Sequence, residues 1–235
     1  MKSPLHVALL ASGRGSNLAA LLAARERGEL PIDITLVASD KPAAAALQLA
    51  AQAGIPTLAL DPRSYPSRAD FDRDLFARVA ASGAQLLVLA GFMRILDADA
   101  LAPWLGRMIN IHPSLLPKYP GLHTHRRALA AGDVEHGASV HYVTAELDGG
   151  PVIARVELPI EPGDDEHRLA ERLLPLEHRL LPAVVRLIAA GRLQLRDDRV
   201  WLDGAPLHDP LQWDADGQLN RCDPPFSRPS PHSTA

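Results

Sequence analysis

The sequence predicts an α/β fold: a Rossmann-like, mostly parallel sheet with helices on both faces, built as a single domain. Three observations carry this. Short, nearly unbroken apolar runs recur at Leu5–Ala11, Ile32–Ser39 and Gln85–Ala90, as expected of strands buried on both faces. Between them lie stretches whose apolar residues repeat at helical spacing, and that alternation builds a parallel sheet. The first run stops at Ser12-Gly13-Arg14-Gly15, a glycine loop where a strand hands over to a helix.

In order along the chain, Leu5–Ala11 is the first strand, interrupted only by His6. Leu18, Leu21 and Leu22 then mark one face of a helix that Gly28 closes. Ile32–Ser39 is the second strand, followed by an Ala-rich helix over 43–53, the punctuation Gly54-Ile55-Pro56, and a short strand at 57–60. Phe71, Leu75 and Val79 share a face of a helix over 70–81, and strands follow at 85–90 and 108–111. A loop rich in His, Pro and Gly covers 112–125, with a short helix over 124–131. Strands at 138–143 and 151–158 flank a turn at Asp148-Gly149-Gly150, and a long amphipathic helix spans 165–190. Pro175 and Pro182 lie inside that helical pattern; each removes a backbone donor, so a kink or break is expected. Residues 199–207 read as a hairpin turning at Asp203-Gly204. Domain organisation follows: one domain over 1–205 and a Pro/Ser-rich tail over 206–235, expected to be disordered.

Composition narrows the function classes. The chain has 235 residues with 24 Lys+Arg against 28 Asp+Glu, a formal net charge of −4, which argues against a general nucleic-acid surface. The single Cys222 excludes an internal disulfide framework and suits a reducing cytoplasm, the expected location. No apolar run reaches the roughly 18 residues of a membrane span, and the apolar opening ends in a glycine loop, so it reads as a strand and not a signal peptide. Two features stand out, 21 prolines and 10 histidines.

Two places carry candidate chemistry. Gly15-Ser16-Asn17 opens a helix after a strand, where free N–H groups and the helix dipole favour an anion. The dinucleotide fingerprint is incomplete, because its third glycine position holds Leu18. A tight turn capped by Ser16 or Asn17 is the plain alternative. Asn110-Ile111-His112 leaves the carboxyl end of a parallel strand, where open α/β sheets place ligands. There Asn110 and His112 share a side, one able to hydrogen-bond a developing oxyanion and the other to exchange protons near neutral pH. Asp148 is the best-placed carboxylate to orient the ring. Five histidines (112, 123, 125, 136 and 141) fall within 30 residues, but no cysteine or carboxylate spacing completes a metal set, and no metal is expected. Arg94, after another strand end, faces the same crevice.

The stretches LLASGRGSNL, VLAGFMRIL, NIHPSLLPKYPGLHTHRRAL and HGASVHYVTAELDGGPVI closely resemble the phosphoribosylglycinamide formyltransferase family, over roughly residues 5–205. The resemblance implies formyl transfer from 10-formyltetrahydrofolate, as co-substrate, to the amine of 5-phosphoribosylglycinamide in purine biosynthesis. It makes Asn110, His112 and Asp148 the catalytic trio. It assigns Gly15, Ser16, Asn17 and Glu177 to the phosphoribosylglycinamide, with the helix-breaking Pro175 two residues before Glu177. It gives the folate Arg68, Met93, Arg94, Ile95, Leu96, Asn110 and the turn Thr144-Ala145-Glu146-Leu147-Asp148. On this reading Asp148 raises the pKa of His112, and a protonated His112 helps Asn110 hold the oxyanion. The expected partners are small-molecule substrates, with no nucleic acid and no membrane, for a monomer or weak homodimer.

Three rivals share the chemistry or the fold. A methionyl-tRNA formyltransferase would carry a further C-terminal domain and a basic surface. A formyltetrahydrofolate hydrolase would use the same trio on water behind an extra N-terminal domain, for which a first strand at Leu5 leaves no room. A non-catalytic nucleotide-binding module would have no use for a proton-transfer group beside an oxyanion donor.

Overall fold

The computed structural model describes residues 3–213 and 218–221. Strand β1 (Leu5–Leu10) enters helix α1 (Ser16–Glu26); β2 (Ile32–Ser39), α2 (Ala45–Gln52), β3 (Thr57–Ala59), α3 (Arg68–Ala81), β4 (Leu86–Ala90), α4 (Ala98–Leu101) and β5 (Met108–His112) follow. After helix α5 (Thr124–Ala131), β6 (Glu135–Tyr142) and β7 (Val152–Pro159) complete one sheet of seven strands in the order β3-β2-β1-β4-β5-β6-β7. Pairings from β3 through to β5 are parallel, whereas β5–β6 and β6–β7 are antiparallel. Only β6 therefore runs against the rest, and the mostly parallel expectation holds.

Alternation along β1 puts helices on both faces. Val7 and Leu9 join one core with α1, α2 and the long helix α6 (Glu166–Ala189), while Ala8 and Leu10 join the other with Phe71, Leu75 and Val79 of α3. The chain builds outward from β1 to β3, then restarts at β4 on β1's other side. The crevice at that switch, beyond the carboxyl ends of β1, β4 and β5, is where ligands bind in such sheets.

Two expectations need correction. The long helix does not break: α6 runs through both Pro175 and Pro182. Burial of Leu169, Leu173, Leu180, Leu181, Val184 and Leu187 on its inner stripe outweighs two missing backbone donors, each worth about 3 kcal/mol in a helix interior. The tail does not begin at 206 either. Leu193–Arg196 (β8) adds to the expected hairpin of Arg199–Leu202 (β9) and Ala205–Pro206 (β10), making three strands. The chain then returns to the large sheet: Leu211 is fully buried, its N–H donates to Ile153 O at 2.9 Å and its carbonyl accepts Arg155 N–H at 2.9 Å. Gln212–Trp213 (β11) and Leu219–Asn220 (β12) pair beyond it. The rest of the expected tail, 214–217 and 222–235, lies outside the described residues.

Candidate active site

Asn110 and His112 project from β5, and β6 runs antiparallel beside it with Asn110 opposite His141 and His112 opposite Ser139. Asn110 Nδ2 lies 3.1 Å from His141 Nε2. His141 Nδ1 is 2.9 Å from the carbonyl of Tyr142, which can only accept, so Nδ1 carries a hydrogen, and Nε2 faces both the Asn110 amide and, at 3.6 Å, Asp148 Oδ1. The second Asn110 hydrogen points toward Asp148 Oδ1 at 3.4 Å.

Asp148 arrives on the turn after β6. Its backbone is left-handed, with φ of 51°, a conformation that costs about 1–2 kcal/mol for most residues but that Asp tolerates. The two glycines after it permit a close approach: a Cβ on Gly150 would lie 1.9 Å from Tyr142 O. Asp148 Oδ2 accepts Gly121 N–H at 2.8 Å and faces His112 Nδ1 at 3.5 Å. Burial pushes this carboxyl up, but the contacts from His141 and Gly121 and the charge of His112 outweigh it, holding Asp148 below its ordinary value.

His112 is buried, with Nε2 2.9 Å from Tyr119 O. Both ring nitrogens thus face oxygen acceptors, which favour the charged ring, and Asp148 does pull its pKa upward. Burial is nevertheless the larger effect and carries the pKa below 6.5. The upward pull of Asp148 is the expected one, and burial turns the net shift downward.

These groups sit on the wall of a cavity of about 650 Å³, a usual size for a small-ligand site. Met93, Arg94, Ile95, Leu96 and Thr144–Asp148 line it, together with Leu122, His125 and Glu166. Met93, Ile95, Leu122 and Leu147 are exposed, giving the mouth an apolar rim. Arg94 lies over the Phe71 ring at 4.6 Å. Arg68, at the first turn of α3, is not in the lining, but its charge and that of Arg94 both act on the buried Asp72 carboxyl.

Gly15, Ser16, Asn17 and Glu177 form a second group outside that lining. Gly15 caps α1 at φ 78°, with no side chain capping the helix, so Ser16 and Asn17 do not play the capping role. Asn17 Nδ2 instead donates to Glu177 Oε2 at 3.1 Å, so the proline in α6 leaves Glu177 facing this loop. Burial raises the Glu177 carboxyl, opposed by that hydrogen bond, and Asn17 Oδ1 is buried without a partner. The two loops touch through Ser12, whose hydroxyl accepts Met93 N–H at 3.1 Å and donates to Asp40 at 2.5 Å.

His141 is the residue that sequence reading counted only as one of a cluster. No group of three or more His, Cys, Asp or Glu among the described residues is arranged to hold a metal ion, and none of the described helices is long and apolar enough to cross a membrane. His125, another of the five clustered histidines, packs against the His136 ring at 4.9 Å.

A parallel α/β sheet that gathers an amide, an imidazole and a carboxylate beyond its strand ends is the layout of a group-transfer enzyme. The chain belongs to the formyl transferase family, whose description matches residues 5–185. It is 45% identical to the phosphoribosylglycinamide formyltransferase of Escherichia coli K12 over 203 residues, covering 86% of this chain and 96% of that one. It is 38% identical to the trifunctional purine biosynthetic protein adenosine-3 of Homo sapiens, of which it spans 20%. Among solved structures, phosphoribosylglycinamide formyltransferase from Coxiella burnetii superposes with a TM-score of 0.84 at 48% identity, covering 87% of this chain and 96% of that chain. Glycinamide ribonucleotide transformylase 1 from Symbiobacterium toebii does so with a TM-score of 0.83 at 40% identity, over 86% and 95%.

Proposed function

We propose that this protein transfers the formyl group of 10-formyltetrahydrofolate to the amine of 5-phosphoribosylglycinamide, a step of purine biosynthesis, with Asn110, His112 and Asp148 as its catalytic residues. The observation that carries the reading is the convergence of these three side chains on one cavity with an apolar rim. That rim suits a flat heteroaromatic ring, and Arg68 and Arg94 suit the carboxylates of a folate tail. The uncapped start of α1 suits the phosphate of the second substrate, with Asn17 and Glu177 beside it as hydrogen-bonding groups.

The amine nitrogen attacks the formyl carbon, its bond forms, and the carbonyl electrons move onto oxygen. Asn110 gives that oxyanion the hydrogen now spent on the long contact to Asp148, an interaction worth a few kcal/mol. The amine must also lose a proton. His112, neutral and anchored by Nε2–H to Tyr119 O, takes it at Nδ1, and the Asp148 carboxylate stabilises the imidazolium so formed. Collapse of the tetrahedral intermediate breaks the bond to the folate nitrogen, which recovers the proton from His112. No covalent enzyme intermediate is required.

A formyl-transfer assay followed by folate absorbance, with and without the glycinamide ribonucleotide, tests this. Turnover should depend on the acceptor. Turnover that ignores it would mark a hydrolase, and none in either case a binding module.

A further inference from the structure

His112, Ser139 and Arg155 stand opposite one another across β5, β6 and β7, so all three side chains leave the same face of the sheet. The segment after His112 folds back over this row. Ser139 Oγ accepts Leu116 N–H at 3.1 Å and donates to Ser114 O at 2.7 Å. The Leu115 side chain packs where a Cβ on Gly137 would stand. The Arg155 guanidinium reaches further and donates to Leu116 O at 2.5 Å. Three residues later Tyr119 supplies the carbonyl on His112 Nε2, and Gly121 supplies the amide on Asp148.

One short segment therefore sets both partners of the proposed proton-transfer pair, and its far side is pinned by Arg155. Leu116 O is the one hydrogen-bond acceptor the Arg155 side chain meets among the described residues, and its Nε is buried without a partner. A half-buried cation spent on a loop carbonyl is not placed for stability alone, since desolvating it is costly without a paired anion. Its own backbone is fixed on both sides, by β6 and by Leu211 O.

We propose that Arg155 is a positioning residue for formyl transfer, holding Leu116 so that the Tyr119 carbonyl and the Gly121 amide keep His112 and Asp148 in register. The proposal rests on the catalytic reading of His112 given above. It predicts that loss of the guanidinium acts on turnover and on His112 itself, and not on ribonucleotide binding.

The test compares Arg155→Met, which keeps length and apolar packing, with Arg155→Lys, which keeps a donor, using His112→Asn as reference. Steady-state formyl transfer and melting temperature are measured for each, and the His112 imidazole is titrated by NMR, its resonance assigned by its loss in His112→Asn. Besides Tyr119 O, the charged or titratable groups that act on that ring are Asp148, His141 and Arg127, with His125 and His136 coupled to it, all unchanged in these variants. Arg155→Met should lower kcat by on the order of ten- to a hundredfold with KM for the ribonucleotide unchanged. The His112 midpoint should fall, because the Tyr119 carbonyl favours the charged ring, and Arg155→Lys should recover most of both. Wild-type kcat and titration in Arg155→Met, beside an inactive His112→Asn, would overturn this proposal alone. So would a lower kcat with an unmoved titration and no rescue by lysine. Full turnover by His112→Asn would overturn both this proposal and the reading beneath it.

Discussion

Replacing Asp148 by Asn removes one charge and, at the Oδ1 position, the acceptor of the long contact from Asn110. The amide keeps the shape of the side chain and can still accept the Gly121 N–H that Oδ2 takes at 2.8 Å. What is lost is the attraction between a carboxylate and the imidazolium formed 3.5 Å away during proton transfer. At an effective dielectric of about 20 that separation corresponds to roughly 4–5 kcal/mol. Both side chains are less than a tenth exposed, so salt screens little of it. If the asparagine dipole retains about a third, roughly 3 kcal/mol is lost from the transition state, on the order of 10² in kcat/KM. That attraction exists only once the imidazolium has formed, so the loss should fall on kcat. Removing the anion should also move the pH-profile limb assigned to His112 toward lower pH, since Asp148 is one of the groups pulling that ring upward. Steady-state kinetics across pH check both. A kcat/KM within fivefold of the parent, with the limb unmoved, would refute the assigned role of Asp148.

Two further outcomes are expected. Gly15→Ala puts a Cβ 2.8 Å from Ala46 Cα at φ +78°, so it should cost about 1–3 kcal/mol and raise KM for the phosphoribosyl substrate while leaving that for the folate; an unchanged melting temperature and KM would contradict this. Burial, with the His125 ring beside it, lowers His136 to about 4. A histidine depressed in the folded state contributes stability that is complete above about pH 6.5 and lost as pH falls toward 4, here up to about 3 kcal/mol. Melting curves from pH 7 to 4.5 should show that loss in the parent and less of it in His136→Asn; equal losses would remove His136 as its source.

The sequence announced the strands, because residues buried on two faces read as unbroken apolar runs, and it announced Asn110 and His112, because a period of two needs no knowledge of neighbours. His141 carried no such mark. Its importance comes from standing opposite Asn110 across an antiparallel pair, and register is a property of two strands. The uninterrupted α6 was hidden for a related reason: the prolines are local, while the apolar stripe that overrides them takes effect only against the sheet. The downward shift of His112 was hidden too, since Asp148 could be guessed from a motif but the depth of burial could not. Arg155 looked like any alternating strand residue until its row with Ser139 and His112 was in view.

The docking of Leu211 also bears on the open edges of the sheet. The sheet has two rims. At one, β3 is only three residues long and two of them are exposed, too short to recruit another chain. At the other, β7 is eight residues long and would offer a row of open amides and carbonyls, the kind of rim along which strands of separate molecules add to one another. The backbone of Leu211 occupies that rim at Ile153 and Arg155, on the strand that also braces the loop beyond His112. Peeling the segment away would therefore leave every candidate catalytic side chain in the sequence while opening a strand edge, so the same few hydrogen bonds cover that edge and fix the backbone of Arg155.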